Sequence, residues 1–195
     1  TDTKSSSVDF VTKYDKRCDE VIMSSLKDSS ASIFVGDNDE QKCSYGFLTE
    51  ETMPDAPVED IPTWVVDPID GTTSFMHGSF DCCISIALTV NKEPVLGVVW
   101  VPMLNELFTA IRGRGAFFNG MPIPVRPSNS KTKSLRQALV GYHLPARRNE
   151  TTIRTSLGIV EDLLVKHNVH SVRCYGSAAL DCCSVAIGRM DVYFE

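Results

Sequence analysis

No apolar run in the 195 residues approaches the length of a membrane span, and the first residues lack the charged-then-apolar pattern of a secretory signal. Cys-x-x-Cys pairs are also missing. The seven cysteines, at positions 18, 43, 82, 83, 174, 182 and 183, are odd in number and include two adjacent doublets, which excludes a zinc-ligand framework and a secreted disulfide framework alike. Most lie in apolar contexts, where a free thiol behaves as a small core residue, and reduced thiols fit a cytoplasmic protein. A reactive thiol is disfavoured because no His, Lys or Arg pair stands near to activate one. Nor is there an excess of positive charge. A formal net charge of −6 argues against nucleic acid or an anionic membrane surface as the main partner. It leaves a phosphorylated substrate open, because bound cations reverse the local field.

What remains is a chain of ordinary hydrophobic content, 43%, long enough for one large domain or two small ones. It is organised around residues 64–75, Trp64-Val65-Val66-Asp67-Pro68-Ile69-Asp70-Gly71-Thr72-Thr73-Ser74-Phe75. Three apolar residues, two of them β-branched, predict a buried strand. Pro68 lacks an N–H for a sheet and is expected to end that strand at Asp67. Asp70-Gly71 is turn chemistry, and Thr72, Thr73 or Ser74 is expected to cap a helix that buries Phe75. Two carboxylates on such a turn suit a hard divalent cation, and the N–H groups of a helix start suit an anion. Side by side, the two make the layout of metal-assisted phosphoryl transfer. The same residues also read as a plain strand-end turn that caps a helix.

Upstream, Thr12 and Asp15 have capping-box spacing, and Tyr14, Cys18, Val21, Ile22 and Leu26 predict a helix to about residue 27. Residues 28–46 read as a surface loop with at most a short strand at Ile33-Phe34-Val35. Its acidic run lacks the closing glutamate of a calcium loop. Phe47-Leu48 forms a short strand that delivers Glu50 and Glu51, and residues 52–62 form an exposed linker. Downstream, Ile84, Ile86, Leu88 and Val90 alternate with polar or small residues. Asn91-Lys92-Glu93-Pro94 turns the chain, and strands over 95–101 and 107–111 follow, so an antiparallel sheet is expected. Gly113-Arg114-Gly115 is a turn and not a nucleotide loop, since no helix follows it. Asn119-Gly120 marks a further turn.

Residues 126–136 are the expected domain boundary, separating 1–127 from 128–195. Beyond it, a strand over 138–142, a helix of about four turns through Ile153, Leu157, Val160, Leu163 and Leu164, and a strand over 169–174 are expected. His167 and His170 read as a solvated helix end, with no third zinc ligand. A second helix from Gly176-Ser177-Ala178-Ala179 and a last strand over 191–195 complete an α/β half.

Asp67-Pro68-Ile69-Asp70-Gly71-Thr72-Thr73 resembles the signature of the inositol monophosphatase family of magnesium-dependent phosphatases. Phe47-Leu48-Thr49-Glu50-Glu51-Thr52, Gly176-Ser177-Ala178-Ala179 and Gly188-Arg189-Met190-Asp191-Val192-Tyr193-Phe194-Glu195 fit the same family. The similarity runs from about residue 10 to 195, looser near 31–46. The resemblance implies an α+β or α/β protein, a layered αβαβα sandwich of the inositol monophosphatase and fructose-1,6-bisphosphatase type. It implies hydrolysis of a small polyol phosphate, myo-inositol monophosphate, with two or three Mg²⁺ ions held by Glu50, Asp67, Asp70 and the Ile69 carbonyl. Glu50 and the Thr72–Asp15 pair would activate and aim a water. Asp70 and the backbone of Gly71 and Thr72 would contact the substrate, with Gly176, Ser177, Ala178 and Glu195 meeting its polyol. The resemblance further implies a homodimer. It leaves open a sugar bisphosphatase, a nucleotide 3′-phosphatase or a non-catalytic homologue. Ser74 stands where the family usually has asparagine. The family's Trp-Asp pair, a further metal ligand, lies a few residues beyond Glu195, so the sequence reads as part of a longer polypeptide.

Overall fold

The computed structural model describes residues 2–3, 10–11, 13–30, 45–53, 57–124, 134–146 and 149–195. Two short strands, β1 (Asp2–Thr3) and β2 (Phe10–Val11), pair antiparallel ahead of helix α1 (Lys13–Ser30). The capping role expected of Thr12, the strand at 33–35 and most of the 126–136 boundary lie outside the described residues.

The buried face of α1 departs from the expected apolar stripe. Tyr14 and Val21 are exposed, while Asp15, Asp19 and Met23, one turn apart, face inward. The helix lies over β4, at the end where the Asp67 turn begins, so its inner face meets hydroxyls and not only hydrocarbon. Carboxylates survive burial where such donors reach them.

β3 (Gly46–Thr49) runs parallel to β4 (Thr63–Asp70), and from β4 the sheet is antiparallel through β5 (Cys83–Val90), β6 (Glu93–Val101), β7 (Glu106–Ile111), β8 (Gly115–Phe118) and β9 (Met121–Pro122). The β3–β4 pair is parallel. Two sequence expectations need correction here. Pro68 does not end β4. Asp67 pairs Ser85 and Asp70 pairs Cys83, so Pro68 and Ile69 face a single residue of β5 in a bulge where a missing N–H breaks no ladder bond. Glu93 and Pro94 already belong to β6, and the tight turn is Asn91-Lys92 alone, both with positive φ.

The second sheet is wholly parallel, ordered β11 (Ser171–Arg173), β10 (Leu139–Tyr142), β12 (Val192–Phe194). Helix α3 (Glu150–Val165), capped by the Asn149 side chain, connects β10 to β11, and α4 (Ala178–Ala186) connects β11 to β12. Cys83, Val101, Phe108 and Leu180 form one buried cluster, so α4 packs on the large sheet. Ala138, Val140, Leu163 and Val169 form another beneath α3, and α4 also packs on β12. The layers therefore run α1, seven-stranded sheet, α4, three-stranded sheet, α3. This is the αβαβα sandwich expected from the sequence.

Burial pushes the Cys83 and Cys183 thiols up to about 12, as core thiols should behave. Cys174 and Cys182 depart from the expected core placement and are exposed. Among the described residues, no helix is long and apolar enough to cross a membrane.

Candidate active site

The Asp67–Asp70 turn sits at the end of β4, between the acidic face of α1 and the start of α4. The bulge turns Asp67 so that its Oδ1 accepts the Ile69 N–H at 3.1 Å. Gly71 then takes a left-handed conformation with φ 89° and itself caps helix α2 (Thr72–Met76), without the side-chain cap expected from Thr72, Thr73 or Ser74. The residue α2 buries is Ser74, and Phe75 instead meets Tyr14 edge-on at 5.7 Å. Glycine is required at position 71, because a Cβ would stand 2.8 Å from the Asp81 carbonyl oxygen and 3.0 Å from that of Gly176.

Glu50 follows β3, and its N–H donates to the Val66 carbonyl at 3.2 Å, which ties it beside β4. Burial, then the Glu50 and Asp70 carboxylates, push the Asp67 carboxyl up to about 8. Like charges gathered in a half-buried place hold protons that a cation would displace. Asp70 is also raised by burial, against hydrogen bonds that favour its ionised form. Its Oδ2 accepts from the Ser177 hydroxyl at 2.8 Å and from the Ala179 N–H at 2.7 Å. A β4 carboxylate thus sits on the N-terminus of α4, where the helix field suits an anion.

The structure brings Thr72 and Asp15 together across 57 residues of sequence. The Thr72 hydroxyl lies 3.3 Å from Asp15 Oδ1 and 3.1 Å from the Ile69 carbonyl, and Asp15 is only 1% exposed. Of the expected substrate contacts, Ser177 is fully buried. Its hydroxyl caps α4 by accepting from the Leu180 N–H and donates to Asp70, so it is taken up within the fold. Gly176 packs where a Cβ would collide with the Ser74 hydroxyl at 2.0 Å. Ser74 is therefore packed closely against Gly176, with little room between them. Glu195 lies just beyond β12, its Oε2 accepting from the Tyr193 hydroxyl at 2.6 Å.

Four further residues escaped the sequence reading. Asp19, one turn after Asp15, accepts from the Thr49 hydroxyl at 3.3 Å, and that spacing was the available signal. Asp81 accepts from the hydroxyls of Ser74 and Ser79 and joins the α2 turn to the approach to α4. Although burial opposes it, those hydroxyls and the Gly176 N–H hold its carboxyl below the usual range. His143 and Asp181 pair at 3.0 Å, and no spacing in the sequence announces a contact between β10 and α4.

The donor set is all oxygen, as Mg²⁺ or Ca²⁺ prefers, and burial beside the Glu50 and Asp70 carboxylates raises Asp67. Among the described residues, no three acidic, His or Cys side chains are already gathered about one point, and Asp70 Oδ2 is turned onto α4. Glu50, Asp67 and the Ile69 carbonyl with one Asp70 oxygen fit a hard cation; they do not fit zinc.

The Inositol monophosphatase family model matches residues 1–195. The chain is 41% identical over 189 residues to inositol monophosphatase 3 of Solanum lycopersicum, covering 96% of this chain and 65% of that protein. It is 36% identical over 193 residues to inositol monophosphatase 1 of Homo sapiens, covering 98% of this chain and 64% of that protein. The fold is similar to the crystal structure of the extragenic suppressor protein suhB from Bartonella henselae, with a TM-score of 0.73 and 31% identity over 96% of this chain and 66% of that one. It is also similar to a staphylococcal IMPase-I complexed with products, with a TM-score of 0.72 and 29% identity over 97% of this chain and 62% of that one. The chain thus spans slightly less than two thirds of the length of these relatives. Family model, curated relatives and shared fold agree: the chain belongs to the inositol monophosphatase family.

Proposed function

We propose that the polypeptide containing this chain hydrolyses phosphate monoesters of myo-inositol in a Mg²⁺-dependent reaction, with two or three ions bound. The observation that carries this reading is the Thr72–Asp15 pair beside Glu50, Asp67 and Asp70, since a site that only bound metal would have no use for a hydroxyl aligned by a buried carboxylate. When bound, the ions supply Lewis acidity that lowers the pKa of a water and balances charge on the phosphate and the leaving alkoxide. Thr72 donates its proton to Asp15 and turns its lone pair to the water, fixing the line of attack. Glu50 receives the proton the water loses. The Gly71 and Thr72 N–H groups hold phosphate oxygens through the in-line displacement. Glu195 accepts from polyol hydroxyls. No nucleophilic side chain takes part, so no covalent phosphoenzyme forms.

Removing the Thr72 hydroxyl tests the alignment. Thr72→Ala is expected to lower kcat by about a hundredfold or more with little change in KM, because general-base assistance acts in the transition state. Steady-state kinetics would check this, and a rise in KM alone would contradict the role.

The decisive assay is phosphate release from inositol 1-phosphate by the full-length polypeptide, with and without Mg²⁺. Turnover is expected only with Mg²⁺, to be lost on chelation and restored on re-addition. A panel with fructose 1,6-bisphosphate and a nucleoside 3′-phosphate would identify a related specificity if inositol phosphate is the poorer substrate. No turnover of any ester by folded protein would favour a non-catalytic homologue. The same preparation gives a second reading. Asp67 is raised from 3.8 to about 8, so the metal-free folded state binds more protons than the unfolded one between those values and loses stability as pH rises across them. Saturating Mg²⁺ should flatten that fall in Tm. Homodimer formation and a cytoplasmic location complete the proposal, the first checked by sedimentation.

A further inference from the structure

His143 belongs to none of the motifs described above. It follows β10 and stands between α4 and the end of β12, with its side chain 16% exposed. Its Nε2 lies 3.0 Å from Oδ2 of Asp181, a carboxylate with no exposure at all. Its Nδ1 lies 3.3 Å from Oε2 of Glu195, whose side chain is 57% exposed. Both ring nitrogens therefore face carboxylate oxygens, which only accept. A neutral imidazole has one N–H and one lone pair, and could satisfy one of these contacts while opposing the other. The imidazolium carries a proton on each nitrogen and a charge that pairs with both carboxylates as ions at these distances, although Nε2 and the Asp181 oxygens lack hydrogen-bond alignment. Glu195 Oε2 also takes the Tyr193 hydroxyl, and the Tyr193 ring meets the imidazole edge-on at 5.4 Å. The Tyr193 hydroxyl, as a hydrogen bond, and the imidazole, as an ion-pair partner, thus both approach one oxygen of Glu195 and leave Oε1 as its acceptor for a ligand. Beside it opens a cleft of about 730 Å³ lined by His143, Pro145, Thr151, Thr155 and Glu195 among others.

We infer that His143 is a positioning residue for the polyol: as an imidazolium bridging buried Asp181 to Glu195, it fixes the Glu195 carboxylate so that Oε1 meets substrate hydroxyls. The inference rests on the reading of Glu195 as the hydroxyl acceptor. The groups facing the ring are Asp181 of α4, Tyr193 and Glu195 at β12, and, at longer range, Asp70 at the end of β4. The Asp181 contact raises the imidazole above its ordinary 6.5, burial opposes this, and Glu195 and Asp70 add to the rise. The bridge is accordingly complete below 6.5 and is lost as pH climbs through the raised value. Above that value Glu195 loses a donor and its fixed orientation.

The test compares KM for inositol 1-phosphate with KM for p-nitrophenyl phosphate, which has no polyol, on the full-length polypeptide with saturating Mg²⁺ between pH 6 and 9. Taking the ratio cancels ionisations at the cation site, which both esters share. In the wild type the ratio is expected to rise about tenfold across the range, the size of effect that follows loss of one charged hydrogen bond. In His143→Gln, which keeps one donor and cannot titrate, the ratio should be raised already at pH 6 and stay flat, with the change in KM for the inositol ester rather than in kcat. A flat wild-type ratio overturns the inference whatever the variant does. Glu195→Gln separates the two layers. If it raises the ratio while pH and His143→Gln do not, His143 has no positioning role and the Glu195 reading stands. If Glu195→Gln leaves the ratio unchanged, the Glu195 reading fails and takes this inference with it.

Discussion

Asp70→Asn is expected to leave a folded protein whose Mg²⁺-dependent turnover has fallen by roughly three orders of magnitude or more, the scale of losing several kcal/mol of charge stabilisation. The fold should survive because both bonds to α4, from the Ser177 hydroxyl and the Ala179 N–H, converge on the single oxygen Oδ2. An amide oxygen in the same place accepts both. The neutral amide also escapes the desolvation that raises the Asp70 carboxyl. What it loses is the negative charge and the second oxygen donor, which a cation shared with Glu50 and Asp67 needs. Circular dichroism with a thermal melt, run beside the phosphate-release assay, separates the two effects. Near-normal turnover would sink the metal-ligand role, and a collapsed fold would mean that the carboxylate is mainly structural.

Gly71→Ala should be the most destabilising small substitution at the site. At φ 89° a side chain strains the backbone by about 1–2 kcal/mol before any contact is counted. The new Cβ then meets two backbone carbonyl oxygens, of Asp81 at 2.8 Å and Gly176 at 3.0 Å, and neither is the movable end of a side chain. A total near 3 kcal/mol would lower Tm by roughly 6–12 °C for a chain of this size. Activity should fall with it, because the turn and the start of α4 are packed against each other through this glycine. A Tm within a degree or two of the wild type would show that the turn can relax away from α4.

The sequence made the site's core legible because its chemistry is local. Asp67, Asp70 and Gly71 lie within five residues, and their turn chemistry survives wherever the strand boundary falls. Pro68 misled for a physical reason: its missing N–H costs nothing inside a bulge, and bulges leave no mark on the period-two pattern. Alternation from Ile84 and the helical spacing from Ile153 placed β5 and α3 correctly as elements but not their buried faces: Cys83 and Thr89 are the buried residues of β5, and Leu157 and Leu164 of α3 are exposed. The inner face of α1 was not legible either, since Asp15 and Asp19 are buried against hydroxyls that arrive from Thr72 and Thr49, far along the chain. The same limit hid His143 and Asp181, which meet only once β10 and α4 are packed. Pairings across many residues belong to the fold, and neither period nor propensity records them.

α4 is the middle layer of the sandwich, with Leu180 in the core of the large sheet and its far side against β12. Its first turn also receives Asp70. A helix held in common in this way acts as a party wall: neither sheet can be uncovered on that side without exposing the other, and displacement of the wall shifts Asp70 against Asp67 and Glu50. The spacing of the acidic carboxylates is therefore set jointly by the packing of α4 on the large sheet and on β12. Repacking at Cys183 or Ile187, which pack on the Cys83 and Leu180 cluster, should therefore reach the turn as a change in alignment.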